Sequence, residues 1–345
     1  MNVCIVTVYN SENCGSFWQA YALGKYIEMM GHNVTYLKRS CIGTSHDIRK
    51  TIEFSVKAIV KGRIGRVRRY IRTYRSFEKA IQNFPVREDI ESDVDYVIYG
   101  SDTIWELSDS YFYRKRNIYW GNTAPKGVKK ISYAPSIANT MENVFEEEKE
   151  FLNCLDTFSG ISVRDDYSYE TLKKYTKNEI DVVCDPTLLM DKFFYENFIT
   201  QKVHQQFLLV YWFGIIPNSV MRQIQEIARS KNLKIVSFGE SLRGADTKLE
   251  FDPFLFVSYY SKANYVTNTF HGTIFSIIFR KQFIVAATGK KKILELLKKF
   301  KLEQRNTDTN MYEKINEEIR YFEVKKILDD YRNESKEFLN KALKE

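Results

Sequence analysis

A short polar turn carries the residues best suited to chemistry. Thr267-Asn268-Thr269-Phe270-His271-Gly272 follows the strand-like run Asn264-Tyr265-Val266 and opens an apolar, helix-like stretch. The turn holds one of only four histidines in the chain. A histidine there sits beside free backbone N–H groups and the positive end of a helix dipole. That place suits an anionic substrate and a proton-transferring imidazole, and it also suits a capping or core histidine.

Other polar turns can supply partners. The loop Tyr9-Asn10-Ser11-Glu12-Asn13-Cys14-Gly15-Ser16 precedes a helix and can hold a phosphate or a sugar. It is not G-x-G-x-x-G, so a dinucleotide site is unsupported. Gln19 and Tyr21, on the helix that follows, can pack or bind. In Gly100-Ser101-Asp102-Thr103-Ile104-Trp105, Gly100 permits close backbone approach, and Ser101 and Asp102 offer hydrogen bonds to hydroxyls. Asp102 can be a general base or a cap. Trp105 can stack on a sugar ring or fill the core. Ser162-Val163-Arg164-Asp165 puts a guanidinium at a strand end, where it can grip a carboxylate or phosphate bidentately or pair with Asp165 or Asp166. Asp185-Pro186-Thr187 reads as a structural turn, because proline fixes the chain there. Lys281 can reach an anion or lie on the surface. His32, His46 and His204 have no ligand-like spacing with acids or cysteines, so no histidine metal site is expected.

The elements that must position these turns alternate. Strands are expected at residues 3–8, 33–37, 95–100, 130–134, 160–163 and 181–184, and again at 207–213, 233–238, 264–266 and 283–286. Helices are expected at residues 17–30, 144–155, 167–175, 219–230, 252–261, 270–279 and 291–300. This alternation implies parallel sheets with helices on both faces. The fold expected is α/β, with two Rossmann-like domains facing a cleft. The first covers residues 1–190, with a basic helical insertion near 48–84. The second covers 205–310, and a charged helical segment, 311–345, follows. In open α/β sheets ligands bind at the carboxyl ends of strands, so the polar turns should open toward the cleft.

Composition narrows the function classes. The chain has 345 residues, 44% of them hydrophobic, enough for sizeable cores. The longest apolar run, residues 207–216, is too short to span a membrane. Met1-Asn2-Val3-Cys4-Ile5-Val6 lacks the basic region of a signal peptide and reads as a first strand. Cys4, Cys14, Cys41, Cys154 and Cys184 form no C-x-x-C pair, so neither a disulfide framework nor a zinc site is expected, and a reducing cytoplasm is the simplest home. The net charge of +8 is uneven. Residues 48–80 hold eleven Lys and Arg against Glu53 and Glu78, a net +9, so the remainder is close to neutral. Within that segment Ile64, Val67, Ile71, Tyr74 and Phe77 recur at helical spacing among Arg63, Arg66, Arg68, Arg69, Arg72 and Arg75. Such a helix can lie on anionic lipid, bind an anionic substrate, or pack its stripe on its own domain. No nucleic-acid motif accompanies it.

Taken in order, five elements resemble the polysaccharide pyruvyl transferase family: residues 13–23, 100–105, 162–165, 185–189 and 267–279. The resemblance implies a fold similar to GT-B glycosyltransferases. It implies transfer of a pyruvyl group from phosphoenolpyruvate to hydroxyls of a cell-surface glycan precursor, forming a cyclic ketal. It implies that His271 is the acid/base residue and that Arg164 helps to bind the donor's carboxylate or phosphate. On this scheme Lys281, Asn268, Thr269 and Gly272 join Arg164 on the donor side. Asn13, Gly15, Ser101, Asp102 and Trp105 face the acceptor, a glycan or a lipid-linked saccharide. No cofactor or metal is expected beyond the donor substrate, and no nucleic acid. The place of action is the cytoplasm, with the basic helix offering contact to an anionic inner membrane face. There are departures. The family often has Thr-Asp-Ser-Phe-His-Gly, where this chain has Asn268 and Thr269, so a carboxylate that would orient the histidine is missing. Glu106 replaces a frequent asparagine and Gln282 a frequent proline. Two other readings follow from the same elements: a GT-B glycosyltransferase with a nucleotide-sugar donor, and a non-catalytic glycan- or membrane-associated protein.

Overall fold

Continuous apolar runs in parallel strands are buried on both faces, and they set the frame here. The computed structural model describes residues 1–38, 47–201, 203, 206–239, 242–287 and 289–344. Cys41, His46, His204 and Gln205 lie outside them. Five parallel strands form the first sheet in the order β3-β2-β1-β4-β5: β1 (Asn2–Val6), β2 (Asn33–Leu37), β3 (Val86–Arg87), β4 (Tyr96–Gly100) and β5 (Lys129–Tyr133). Every residue of β4 is buried. A short parallel pair, β6 (Ile161–Val163) and β7 (Ile180–Val182), continues beside β5, with Ser132 and Ser162 exchanging hydrogen bonds of 2.8–3.0 Å.

The second sheet repeats the arrangement. Its order is β10-β9-β8-β11-β12, again all parallel: β8 (Phe207–Tyr211), β9 (Lys234–Phe238), β10 (Thr247–Leu249), β11 (Asn264–Thr267) and β12 (Phe283–Val285). Helices connect most of the strands, while among the described residues β3 to β4 and β9 to β10 are joined without one. The fold is α/β, two Rossmann-like units facing a cleft, in the GT-B manner. The edge strands β3 and β10 are absent from the sequence-based expectation. The helix expected at 144–155 is broken into Glu142–Glu147, Lys149–Leu152 and a 3-10 turn.

The two halves are stitched together by aromatics. The helix Cys14–Met29 begins with the cap Asn13, whose Oδ1 accepts from the Gly15 N–H at 2.8 Å; such a cap is worth about 1 kcal/mol. From its buried face Trp18 donates to the Pro253 carbonyl of the second half at 2.9 Å and packs edge-on against Tyr195 and Phe198. The C-terminal helix Tyr321–Ala342 returns to the first half. There Tyr331 donates to the Val183 carbonyl, and the Ser335 hydroxyl accepts from Cys184 N–H.

The basic segment forms two helices, Ile48–Val60 and Ile64–Ile81, packed on each other. Only the far end of the second is anchored by burial, through Thr73, Phe77 and Ala80. In the first, the buried residues are Thr51 and Ala58, while Ile48, Ile52, Val56, Ile59 and Val60 face water. Leaving such side chains largely exposed forgoes part of the about 1.5–3 kcal/mol that full burial of each would contribute.

Among the described residues no helix is long and apolar enough to cross a membrane. Among them too, no group of three His, Cys, Asp or Glu side chains is placed to hold a metal ion.

Candidate functional site

The strands deliver their polar turns to one place. His271 is the second residue of the helix Phe270–Ile278, directly after β11. The cap is Thr269, whose hydroxyl accepts from the Gly272 N–H at 3.0 Å. Thr269 is itself held by the Thr267 hydroxyl, 2.9 Å away, which donates to the Tyr211 carbonyl. Thr269 and Gly272 therefore spend these groups on shaping the turn, with Thr269 still lining the cleft. Asn268 also acts as a lock. Its Oδ1 accepts from Phe213 N–H and its Nδ2 donates to the Phe213 carbonyl, both at 3.0 Å. An aspartate there could accept but not donate.

The histidine does have a carboxylate. Asp185, after β7, brings Oδ2 to 3.5 Å from His271 Nε2 and 2.9 Å from Arg164 Nη1. Its Oδ1 accepts from the Thr187 N–H and hydroxyl at 3.0 and 2.6 Å. Burial alone would raise this carboxyl, but His271, Arg164 and Thr187 outweigh it and hold it well below the usual range. The turn expected to be only structural thus supplies the charge that Asn268 does not.

Arg164 is nearly enclosed, 3% exposed at its side chain against 1% for Asp185. Its guanidinium lies 4.6 Å from the Phe270 ring centre. Only Nη1 is hydrogen-bonded; buried Nε and Nη2 have no hydrogen-bond partner among the described residues. That edge of an arginine fits a carboxylate or phosphate with two parallel bonds. A cavity of about 50 Å³ lies beside it, lined also by Asp185, Phe270, Lys292 and Glu295.

The opposite edge of the imidazole touches the first half. A Cβ built on Gly15 would stand 2.1 Å from His271 Nδ1, so only glycine lets the ring lie over the first turn of the helix Cys14–Met29. Beside it Ser16 donates to Asp102 Oδ2 at 2.6 Å. Asp102 has a positive φ of 69°, a conformation that costs a non-glycine residue energy and concentrates at functional sites. Burial would raise its carboxyl, but Arg164, Ser16, Lys292 and His271 hold it low.

A cleft cavity of about 410 Å³ joins these groups, lined by Asn13, Asp102, Glu106, Asn268, Thr269, His271, Lys290 and Lys292 among others. The two lysines were not anticipated. Lys290 donates to the Asn268 carbonyl at 2.7 Å. Burial lowers both ammonium groups, further so for Lys290 because Lys292 is near and for Lys292 because Arg164 is near. Burial and acidic neighbours raise two carboxyls at the same cavity: Glu106 beside Asp109, and Glu295, beside Asp165 and Asp166, which is pushed up to about 7.

Of the expected site residues, Arg164, Gly15, Gly272, Trp105, Ser101 and Lys281 are not among those that line that cavity. Trp105 is fully buried, stacked on Trp120 at 4.6 Å and donating to the Tyr119 carbonyl. Ser101 is buried, and its hydroxyl has no hydrogen-bond partner among the described residues. Lys281 lies past the far end of the His271 helix, about 15 Å along the chain axis at 1.5 Å per residue, near Lys262, Lys192 and Glu196. Gln19 packs, donating to Thr7 and to the Ser16 carbonyl. The signal that could have found Asp185 was the strand-end rule, since it follows β7 as Arg164 follows β6. Nothing in the sequence ranks Lys290 and Lys292 above Lys281.

Comparison with solved structures places the whole fold. UGT89C1 of Arabidopsis thaliana, solved with UDP, matches with a TM-score of 0.51 at 12% identity, covering 99% of each chain. The UDP-GlcNAc 2-epimerase of Neisseria meningitidis, bound to UDP-GlcNAc, matches with a TM-score of 0.52 at 10% identity over 100% of each. At these identities the likeness is one of fold. No curated protein matches the sequence significantly. The polysaccharide pyruvyl transferase family model, however, aligns with residues 13–289, a span that runs from the Asn13 cap through Asp102, Arg164 and Asp185 to His271. The chain belongs to the polysaccharide pyruvyl transferase family.

Proposed function

We propose that this chain transfers the pyruvyl group of phosphoenolpyruvate to two hydroxyls of a glycan precursor, forming a cyclic pyruvate ketal. The observation that carries the reading is the buried Asp185–His271–Arg164 cluster. It couples a carboxylate-backed imidazole to an arginine with two unspent donors. Lys290 and Lys292 add positive charge at the adjoining cavity. Such a site matches a donor bearing both a carboxylate and a phosphate.

In the proposed reaction Asp185 favours the proton on Nε2 of His271, and the other ring nitrogen takes the proton of a sugar hydroxyl. The hydroxyl oxygen bonds to C2 of the enolpyruvyl group as the methylene carbon gains a proton and becomes a methyl. Glu106 and Glu295, the cavity's raised carboxyls, are the candidates to give it. The C2–O bond to phosphate then breaks, and the second hydroxyl bonds to C2. Of the two hydroxyl protons lost, one is balanced by the new methyl hydrogen and the other leaves with phosphate. General acid–base help of this kind is worth about 10²–10⁴-fold. Asn13 and Asp102 line the cavity from the first half, which supports assigning the acceptor to that side. Buried, unpaired Cys4, Cys14, Cys154 and Cys184 support a reducing compartment such as the cytoplasm.

Thermal unfolding of the purified chain with phosphoenolpyruvate, UDP or GDP tests the donor. A ligand at about 100 times its dissociation constant stabilises by about 2.7 kcal/mol. Stabilisation by phosphoenolpyruvate alone is expected. Stabilisation by a nucleotide and not by phosphoenolpyruvate overturns the reading in favour of glycosyl transfer.

A further inference from the structure

We propose that the helical hairpin of residues 48–81 is a docking surface for an anionic lipid bilayer. The inference does not depend on the reaction proposed above.

The first helix of the hairpin uses its sides in reverse of the usual order. At 100° per residue, Ile48, Ile52, Val56, Ile59 and Val60 share one face, and all of them are exposed. The small residues Thr51 and Ala58 share another face, and these are the ones buried. An amphipathic helix stabilised by its own domain would turn the larger stripe inward. At the tip the most exposed pair, Val60 at 82% and Ile64 at 70%, flanks Lys61 and Arg63.

The second helix mixes apolar and basic side chains on one exposed face. On the second helix Ile64, Arg68, Ile71 and Arg75 fall within one narrow sector, all exposed. The surface extends onto the second half. Ile215, 95% exposed, lines a groove together with Arg66. Arg72 lies 3.8 Å from Glu250, so the hairpin leans on that half near β10.

A bilayer is the occupant these features favour. Cations among exposed apolar side chains match an anionic headgroup layer over acyl chains. Phosphates of a nucleic acid would leave the apolar stripe unused. A second copy would set one +9 segment against another.

The test is co-sedimentation of the full chain with vesicles of phosphatidylcholine, alone or mixed with phosphatidylglycerol, at low and at physiological salt. The variants are Val60→Ser with Ile64→Ser, and Arg68→Gln with Arg75→Gln. All four positions are exposed, and circular dichroism checks that each variant folds. The wild type should partition to the mixed vesicles and not to phosphatidylcholine alone, more strongly at low salt. Each lost cation should weaken partition about fivefold, so the double Arg variant about 25-fold. The Val60/Ile64 variant should bind weakly even at low salt. No partition at low salt overturns the proposal, as does equal partition of wild type and both variants. A wild-type dimer that the Val60/Ile64 variant renders monomeric, without vesicle binding by either, also overturns it, in favour of self-association.

Discussion

Asp185 Oδ2 of the first half stands 3.5 Å from His271 Nε2 of the second, although 86 residues separate them. The pair is buried, and Arg164 closes it from the other side at 2.9 Å. The carboxylate nearest the histidine thus comes from across the cleft rather than from its own turn.

Replacing Asp185 with Asn should lower kcat by on the order of 10²–10⁴-fold with a smaller change in KM for phosphoenolpyruvate, because the carboxylate acts through His271. Steady-state kinetics separates the two parameters. An unchanged kcat removes Asp185 from the mechanism. The same carboxylate sets an acid limit on stability. Its native-state proton affinity is depressed, so its contribution is complete above the unfolded value near 4 and is lost as pH falls below that. Acid unfolding of the Asn variant should lack that component.

Gly15→Ala should abolish turnover, because the added methyl would overlap the His271 imidazole. Gly65→Ala is the control. It lies in the exposed helix Ile64–Ile81 with open space around it and should stabilise by about 0.5–1 kcal/mol. Activity and thermal melting of both variants check this, and an active Gly15→Ala enzyme contradicts the described packing.

Lys292→Gln should raise KM for phosphoenolpyruvate by roughly 10–150-fold, the worth of a charge-assisted hydrogen bond of about 1.5–3 kcal/mol. Lys281→Gln should leave KM unchanged, since that residue stands outside the cavity. The reverse pattern would move the donor site to the other end of the helix.

Glu295, pushed up to about 7, binds a proton in the folded chain that the unfolded chain releases near 4.5. The native state therefore holds more protons between those values, and stability falls as pH rises through that window. Melting curves of wild type and Glu295→Gln should converge at low pH and separate toward neutrality, the variant being the more stable there. Parallel curves would show that the carboxyl is not raised.

His271→Ala should fold normally and lose activity. Near-normal turnover in that variant sinks the proposed reaction.

Much of the frame is legible in the sequence because β1, β4 and β8 are mostly apolar runs with few competing readings. The short edge strands are not. Val86–Arg87 and Thr247–Leu249 have too few residues, and too polar, to show alternation or burial. Within the site, the rule that ligands meet strand ends gathered Asn13, Asp102, Arg164 and His271 in advance. It also gathered Asp185, but a neighbouring proline gave that turn a sufficient structural explanation. Trp105 fitted a sugar platform or a core equally well, and its pairing with Trp120 was not visible from spacing. Lys281 follows the C-terminal end of the His271 helix while Lys292 opens the next helix, and only the folded chain shows which of the two reaches the cavity.

The ring of His271 occupies the space where a side chain on Gly15 would be, and its carboxylate partner belongs to the opposite half. Separating the halves by a few ångströms would leave an imidazole with neither support nor orientation. On the proposed reaction the poised base would exist only while the two halves are together, so closure and competence would be one event. An enolpyruvyl donor held by an open enzyme would meet no poised base and would be protected from wasteful transfer to water.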